Sequence, residues 1–255
     1  MSVAALTVVL YIIIFLFGIV IGSFLNVCIY RIPKKESIVF PHSHCMTCGY
    51  QLRWYDLVPL FSFLFLRGRC RKCHTKLSLQ YPLVEGMNGA LYVIVFLANG
   101  WNYMSVVYCL LTSALIVLSV LDFRTMEIAD GINLFILLLG IAATLLDLHA
   151  WKDHVIGMFS VSVFLLVIYL VTVGRGIGGG DIKLMFGAGL LLGWKGAVLA
   201  FFLGCIIGSV VHLIRMAVSH AEHRLAMGPY LSVGIWLTAL WGTPVIDWYI
   251  GMIIH

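Results

Sequence analysis

The sequence predicts an all-α polytopic membrane protein of about eight transmembrane helices with one small polar loop. Of the 255 residues, 62% are hydrophobic and only 11% are charged, whereas soluble globular domains have about 25% charged residues. Long apolar runs recur along the chain, and most approach the length that a helix needs to cross a bilayer. Residues 31–81 form the only long polar stretch. This composition excludes a soluble protein with a large core.

The apolar runs divide the chain into three parts. Residues 1–30 carry no charge and form the first span, in which Gly18 and Gly22 are spaced for close helix packing. Residues 31–81 form the polar loop, and residues 82–255 form a membrane domain of seven spans. These seven runs lie at about 84–98, 103–121, 132–148, 155–173, 184–193, 196–214 and 230–250.

The distribution of Lys and Arg predicts the orientation of the chain. Fourteen of the 16 fall in loops on one side of the predicted membrane, and only Lys152 and Lys195 fall on the other. Because cytoplasmic loops are enriched in Lys and Arg, we expect the polar loop to be cytoplasmic and both termini to be extracytoplasmic. The fourteen are Arg31, Lys34, Lys35, Arg53, Arg67, Arg69, Arg71, Lys72, Lys76, Arg124, Arg175, Lys183, Arg215 and Arg224.

Four cysteines in the polar loop have the spacing of a structural zinc site. Cys45 and Cys48 form one CxxC pair, and Cys70 and Cys73 form a second after 21 intervening residues. Four thiolates complete a tetrahedral Zn²⁺ shell with no open position. Disulfides or unmetallated thiols are the alternatives, although a reducing cytoplasm disfavours disulfides. The sequence therefore predicts a small cytoplasmic zinc-binding loop, whose basic residues attract anionic lipid headgroups.

Three aspartates at the predicted cytoplasmic edge are candidate catalytic residues. Asp122 follows the third span, Asp130 precedes the fourth, and Asp181 follows three consecutive glycines before the sixth. A carboxylate close to the hydrocarbon region is costly unless it is compensated, so such acids are functional candidates. Alternatively, the three aspartates are helix caps at the membrane surface.

A close pair of these aspartates would form an acid–base site. Two carboxylates held together share one proton, and that state can activate a water molecule and protonate an amide product. A helix over residues 122–130 would separate Asp122 and Asp130 by about 12 Å. A pair is therefore expected to join Asp181 to one of the other two, and the spacing leaves open which one. The glycines allow the backbone to bend and approach a substrate closely.

The chain resembles the type IV prepilin peptidase family of membrane aspartic proteases over nearly its whole length. Ala129 replaces a family proline, and Ala226-Met227 replaces Pro-Phe; neither change removes a catalytic group. The similar segments are Gly22 to Pro33, the two CxxC pairs with Leu57-Val-Pro59, Tyr81-Pro-Leu-Val-Glu85, Asp122 with Asp130, Gly178-Gly-Gly-Asp-Ile-Lys183 and Gly228-Pro-Tyr-Leu231.

The resemblance implies that Asp122 pairs with Asp181 and that residues 82–255 form a catalytic membrane domain. It does not assign which aspartate is the base. Lys183 is close enough in sequence to affect Asp181, and Glu85 either compensates the dipole of the second span or makes a structural or substrate contact. The candidate supporting residues are Asp130, Gly178, Gly180, Lys183 and Glu85.

The family function implied is cleavage of the basic leader of type IV prepilins or pseudopilins at the cytoplasmic face of the bacterial inner membrane. Many members then methylate the new N-terminus with S-adenosylmethionine. The expected partners are a prepilin or pseudopilin and membrane lipids, with no nucleic acid. Two alternatives from other classes are a proton-coupled transporter and a methyltransferase or scaffold without protease activity. The position of the aspartates at one membrane edge argues against a transporter, whose sites usually lie near the midplane.

Overall fold

The computed structural model describes residues 2–40, 42–218 and 226–254. Within these residues the chain forms eight α-helices and two short 3₁₀ helices, and no β-strand. It divides into two units, residues 1–97 and 98–255. Arg224 in a predicted cytoplasmic loop and the terminal residues Met1 and His255 lie outside the described residues.

The first unit contains α1 (Val3–Arg31), α2 (Phe61–Phe65) and most of α3 (Gln80–Asn99). Glycines bring α1 and α3 together. A Cβ atom on Gly18 would lie 2.7 Å from Cα of Gly89, and one on Gly22 would lie 2.7 Å from Cα of Glu85. The Asn88 amide donates to the Gly18 carbonyl oxygen at 2.7 Å. The close packing expected at Gly18 and Gly22 is therefore present, with α3 as the partner.

The second unit contains five helices that pack around buried aliphatic side chains. They are α4 (Tyr103–Thr125), α5 (Asp130–Leu146), α6 (Trp151–Val171), α7 (Gly179–Val218) and α8 (Gly228–Ile254). α7 contacts α5, α6 and α8, and glycines again permit close approach, because a Cβ atom on Gly157 would overlap the backbone of α7.

α7 is broken at Gly193, where φ is 73° and ψ is 174°. Only glycine adopts such a conformation readily. The beginning of α7 lies beside the loop after α4, since a Cβ on Gly180 would be 2.9 Å from Cβ of Ile128. Towards its other end, Gly208 faces Tyr230 in the first turn of α8, and α8 begins beside the end of α4. The two arms of α7 therefore run in opposite directions, and Gly180 of the first arm and Gly208 of the second both lie on the side where α4 ends.

Among the described residues, five helices are long and apolar enough to cross a membrane. α5 is apolar but has 17 residues, and α8 has 27. The class of all-α membrane protein is thus confirmed, whereas the count of eight spans stays a prediction. The predicted sixth and seventh runs are the two arms of α7. The five candidate spans are Ala4–Arg31, Gln80–Asn99, Tyr103–Thr125, Leu148–Val171 and Gly179–Val218.

Candidate active site and metal centre

Asp122 lies in the last turn of α4 with its side chain buried. A carboxylate at the C-terminal end of its own helix is unfavourable, because the carbonyl ends of the helix are partly negative. Another helix compensates it. The backbone N–H of Gly228, the first residue of α8, donates to Oδ2 of Asp122 at 2.8 Å. The capping alternative is thus partly right, since Asp122 accepts a hydrogen bond at the start of a helix distant in sequence.

Asp181 lies in the first turn of α7 and is partly buried. Its backbone N–H donates to the Gly178 carbonyl oxygen at 3.1 Å, which begins the helix. Its carboxylate interacts electrostatically with that of Asp122. The start of α7 therefore lies within electrostatic range of Asp122 at the end of α4.

Glycines leave the room that these two carboxylates occupy. A Cβ atom on Gly228 would lie 2.6 Å from Oδ2 of Asp122 and 3.0 Å from its Cγ. One on Gly178 would lie 3.2 Å from Oδ2 of Asp181, whereas one on Gly179 would meet no atom within 4 Å. Gly180 packs against Ile128. Three of these four glycines thus have a steric role, and that of Gly228 was not recognised from the sequence.

Asp130 is placed differently from Asp122. It is exposed in the first turn of α5, and its Oδ1 is 2.6 Å from Nζ of Lys183. The cation next to Asp181 in sequence therefore pairs with Asp130. Both residues line a cavity of about 350 Å³ whose other walls are mostly apolar. The remaining lining residues are Asn133, Leu134, Leu137, Ile182 and Phe186.

Asn133 is a site residue that the sequence analysis missed. It is buried, and its Nδ2 donates to the carbonyl oxygen of Gly180 at 3.4 Å. Its Oδ1 is buried without a hydrogen-bond partner, which is uncommon for a buried polar atom. Asn133 lies one helical turn after Asp130 on α5. Helical periodicity could therefore have predicted that it shares the face of α5 that lies beside α7. It links α5 to the peptide that precedes Asp181.

Glu85 belongs to the first unit and is buried in α3. Its Oε2 accepts a hydrogen bond from the backbone N–H of Leu60 at 2.8 Å. Leu60 has a positive φ of 59°, a conformation that non-glycine residues rarely adopt. Glu85 therefore makes a structural contact, one of the two roles expected for it, and holds the turn that begins α2.

The four cysteines form one cluster in the first unit. Their sulfur atoms all lie within 4.8 Å of one another. Sγ of Cys45 is 3.8 Å from that of Cys73, and Sγ of Cys48 is 4.0 Å from that of Cys70. A tetrahedral site with Zn–S bonds of about 2.3 Å requires sulfur separations of about 3.8 Å. The donor set and spacing therefore fit Zn²⁺.

Two similar turns build this cluster. The Cys45 N–H donates to the Tyr50 carbonyl oxygen at 2.8 Å, and the Cys70 N–H donates to that of Thr75 at 2.9 Å. The residue after each CxxC pair has a positive φ, 67° at Gly49 and 55° at His74. Each CxxC segment thus folds by local hydrogen bonds into a turn that presents both sulfurs.

The thiols of the cluster differ in their ease of ionisation. Hydrogen bonding with Thr75 lowers the pKa of Cys73 to about 6. A backbone hydrogen bond from Tyr50 favours the Cys48 thiolate, but burial and the neighbouring thiols together raise the pKa of Cys48 to about 11. A divalent cation between the sulfurs would stabilise all four thiolates.

Asp56 joins the two turns and was also missed by the sequence analysis. Its side chain is almost fully buried and accepts from Arg71 Nε at 2.7 Å, from Tyr50 Oη at 3.3 Å and from the Arg53 N–H at 3.2 Å. Burial raises the pKa of Asp56, but these hydrogen bonds and the Arg71 charge outweigh it and hold the pKa below its ordinary value. Asp56 could have been found from the sequence, because it is the single aspartate between the two cysteine pairs of a basic loop.

Comparisons with known proteins place the chain in a family. Residues 16–99 match the Bacterial Peptidase A24 N-terminal domain, and residues 109–213 match the Type IV leader peptidase family. A prepilin leader peptidase/N-methyltransferase of Aeromonas salmonicida is 31% identical over an alignment of 275 residues, gaps included. The alignment covers 94% of each chain. This chain belongs to the type IV leader peptidase family. The resemblance predicted from its motifs is therefore confirmed.

Other relatives within the type IV leader peptidase family have the same name. The Bacillus subtilis protein is 34% identical over 243 residues, covering 94% of this chain and 98% of its own. The Pseudomonas aeruginosa protein is 30% identical over 265 residues, covering 92% and 91%. No solved structure gives a significant match. The first family match contains the four cysteines and Glu85, and the second contains Asp122 and Asp181.

Proposed function

We propose that this protein is a membrane aspartic endopeptidase that cleaves the basic leader of type IV prepilins or pseudopilins. Asp122 and Asp181 are the proposed catalytic residues. The observation that carries this proposal is that two buried or partly buried carboxylates from different helices lie within electrostatic range of each other, with the N–H of Gly228 donating to one of them. The names of the relatives, prepilin leader peptidase/N-methyltransferase, supply the substrate class.

In the proposed mechanism the two aspartates act as one acid–base unit. Close carboxylates do not ionise together readily, so one keeps a proton while the other is charged. The charged carboxylate takes a proton from water as that water attacks the scissile carbonyl carbon, and the protonated one supplies a proton to the leaving amine. The Gly228 N–H fixes the rotamer of Asp122. The roles of base and acid are not assigned to individual residues.

The supporting residues hold this pair in place. Gly178 and Gly180 allow the close approach of Asp181, and Asn133 holds the Gly180 carbonyl. Asp130 and Lys183 form an exposed ion pair at the mouth of the adjacent cavity, where they would contact an entering peptide. Zn²⁺ on Cys45, Cys48, Cys70 and Cys73 would stabilise the fold of the loop, because a site with four thiolates has no open position for catalysis.

The proposed topology has eight spans in the bacterial inner membrane, with α7 contributing two. The cytoplasmic side is the one that holds the cysteine loop and both aspartates, as the distribution of Lys and Arg indicates. A reporter fused after His255 should then be extracytoplasmic. A cytoplasmic signal from that reporter would reject the eight-span arrangement.

Methylation of the new N-terminus by S-adenosylmethionine is a second proposed step, supported by the names of the relatives. The described residues do not identify a site for this cofactor, and the peptidase step is independent of it. Transfer of labelled methyl groups to a cleaved prepilin would test this step separately from cleavage.

The test of the peptidase is cleavage of a prepilin by purified protein in detergent. Asp122→Asn and Asp181→Asn should each abolish cleavage while the thermal unfolding temperature changes little. Asp147→Asn is a matched control, because Asp147 is exposed beyond the other end of α5. Full activity in either dyad variant would reject the proposal.

A further inference from the structure

α2 and the turn before it expose an unusual amount of apolar surface for a loop between two spans. The exposed fractions are 49% for Phe61, 70% for Leu64 and 85% for Phe65. Trp54, in the preceding 3₁₀ helix, is 79% exposed. Contiguous exposed aromatic and aliphatic side chains mark an interaction surface.

A hydrogen bond fixes the depth of α2 relative to the two spans of the first unit. The Leu60 N–H, immediately before α2, donates to Oε2 of Glu85 in α3. Glu85 is level with Gly22 of α1, since a Cβ on Gly22 would lie 2.7 Å from Cα of Glu85. Gly22 is about 13 Å along α1 from its last residue, Arg31. α2 therefore begins beside the apolar part of α1.

The residues that follow α2 are basic. Arg67 and Arg69 come directly after it, and the whole stretch 31–81 holds nine Lys and Arg against two acids, Glu36 and Asp56. One of these acids is paired with Arg71. A short apolar segment followed by cations is typical of elements that lie in the interface of an anionic bilayer.

We propose that α2 is an interfacial helix that inserts Phe61, Leu64 and Phe65 among the acyl chains of one leaflet. Arg67 and Arg69 contact anionic lipid headgroups above it. In this arrangement the hydrogen bond to Glu85 holds Leu60 in its positive-φ conformation. Leu60 immediately precedes α2, so this bond keeps the start of α2 at the depth of the lipid. The lipid contact holds the cysteine-rich loop against the membrane surface.

Photo-crosslinking tests this contact in the complete protein. p-Benzoylphenylalanine replaces Phe65 in one sample and Met46 in a second, in nanodiscs of phosphatidylcholine and phosphatidylglycerol. Met46 is 65% exposed within the first CxxC turn and serves as the matched position. Mass spectrometry should find lipid acyl-chain adducts at position 65 at several times the yield at position 46. Equal yields, or adducts at 65 with an added prepilin in place of lipid, would overturn the proposal.

Two sets of variants test separately the insertion depth of α2, which Glu85 sets, and the headgroup contact of Arg67 and Arg69. Glu85→Ala removes the acceptor for Leu60 and should reduce the lipid adducts at position 65 several-fold, whereas Glu85→Gln keeps an acceptor and should preserve them. Replacing Arg67 and Arg69 together by glutamine should abolish any enrichment of phosphatidylglycerol among the adducts. Unchanged adducts in Glu85→Ala would reject the anchoring role, and unchanged lipid preference would reject the headgroup contact.

Discussion

The cysteine cluster and the aspartate pair are assembled in opposite ways. Each half of the cluster is a turn of about six residues, closed by its own backbone hydrogen bonds. The aspartate site combines the end of α4, the start of α7 and the start of α8, which are far apart in sequence. Short segments can therefore be recognised from spacing alone, whereas a site made from helix ends depends on packing between those helices.

The two sites also differ in what compensates their charge. The four cysteines could hold one Zn²⁺, which would neutralise half of the charge of four thiolates and fix their separation. On the aspartate side, the backbone N–H of Gly228 at the start of α8 donates to Asp122, and the proposed mechanism adds a shared proton. A change at the cluster should thus affect folding of the loop, and a change at the aspartates should affect the reaction with little effect on folding.

The largest expected effect is the loss of metal. Cys45→Ser together with Cys48→Ser removes two ligands, and structural Zn²⁺ contributes about 10 kcal/mol or more to small domains. Metal analysis should find about one zinc per chain in the unchanged protein and none in the variant, in which residues 31–81 become sensitive to trypsin. Cys205→Ser, in the second unit, should keep its metal. Retention of zinc in the double variant would reject the four-cysteine site.

Gly228→Ala should be the next most damaging change. The added methyl group would lie 2.6 Å from Oδ2 of Asp122, so the carboxylate must move. A displacement of about 1 Å at a reacting group can reduce the rate about 100-fold. Gly179→Ala is the matched control, because its Cβ meets nothing within 4 Å. Equal rates of prepilin cleavage for the two variants would show that the Gly228 contact is not needed.

Asp56→Asn should weaken the cysteine loop by about 2 kcal/mol, the usual contribution of a hydrogen bond to a charged partner. The lowered pKa of Asp56 means that this stability is fully present above the ordinary aspartate pKa of about 4. It is lost only as the pH falls through the lower folded value. The difference between variant and parent in hydrogen exchange of residues 44–76 should therefore be constant from about pH 5 to 8. A difference that vanishes near pH 6 would contradict this account.

Asn133→Leu should separate activity from stability. It removes a hydrogen bond to the Gly180 carbonyl, worth about 1 kcal/mol, so cleavage should fall by about fivefold. It also removes a buried acceptor without a partner, so the unfolding temperature should be unchanged or higher. A parallel fall in both quantities would assign Asn133 to the fold alone. Asn133→Thr keeps a donor and should be intermediate in activity.

The smallest effect is expected for the exposed pair of Asp130 and Lys183. Their side chains are 78% and 58% exposed, and such ion pairs contribute about 0–1 kcal/mol. A double-mutant cycle with Asp130→Asn and Lys183→Met should give a coupling energy in that range, decreasing as salt is added. Coupling of several kcal/mol would mean that the pair is buried during folding or catalysis.

Much of the molecule was predictable because its patterns are local or repeated. The apolar runs predicted helices close to those observed, and the spacing of Gly18 and Gly22 predicted a packing seam that the structure places against α3. Both CxxC pairs predicted their cluster. The contacts of Asn133, Gly228 and Asp56 were not predicted, because each depends on a partner that no short sequence pattern identifies.

The sequence by itself determined the membrane class, the four clustered cysteines and the three candidate aspartates, since hydropathy, charge and thiol spacing are properties of contiguous residues. Tertiary structure decided which aspartate lies within electrostatic range of Asp181. It placed Asp122 near the starts of α7 and α8, and it paired Asp130 with Lys183. The physical reason is that Asp122 lies in the last turn of one helix and Asp130 begins the next, so spacing along the chain does not fix where either side chain lies. Their separation from Asp181 depends on how glycines let α4, α5, α7 and α8 approach one another.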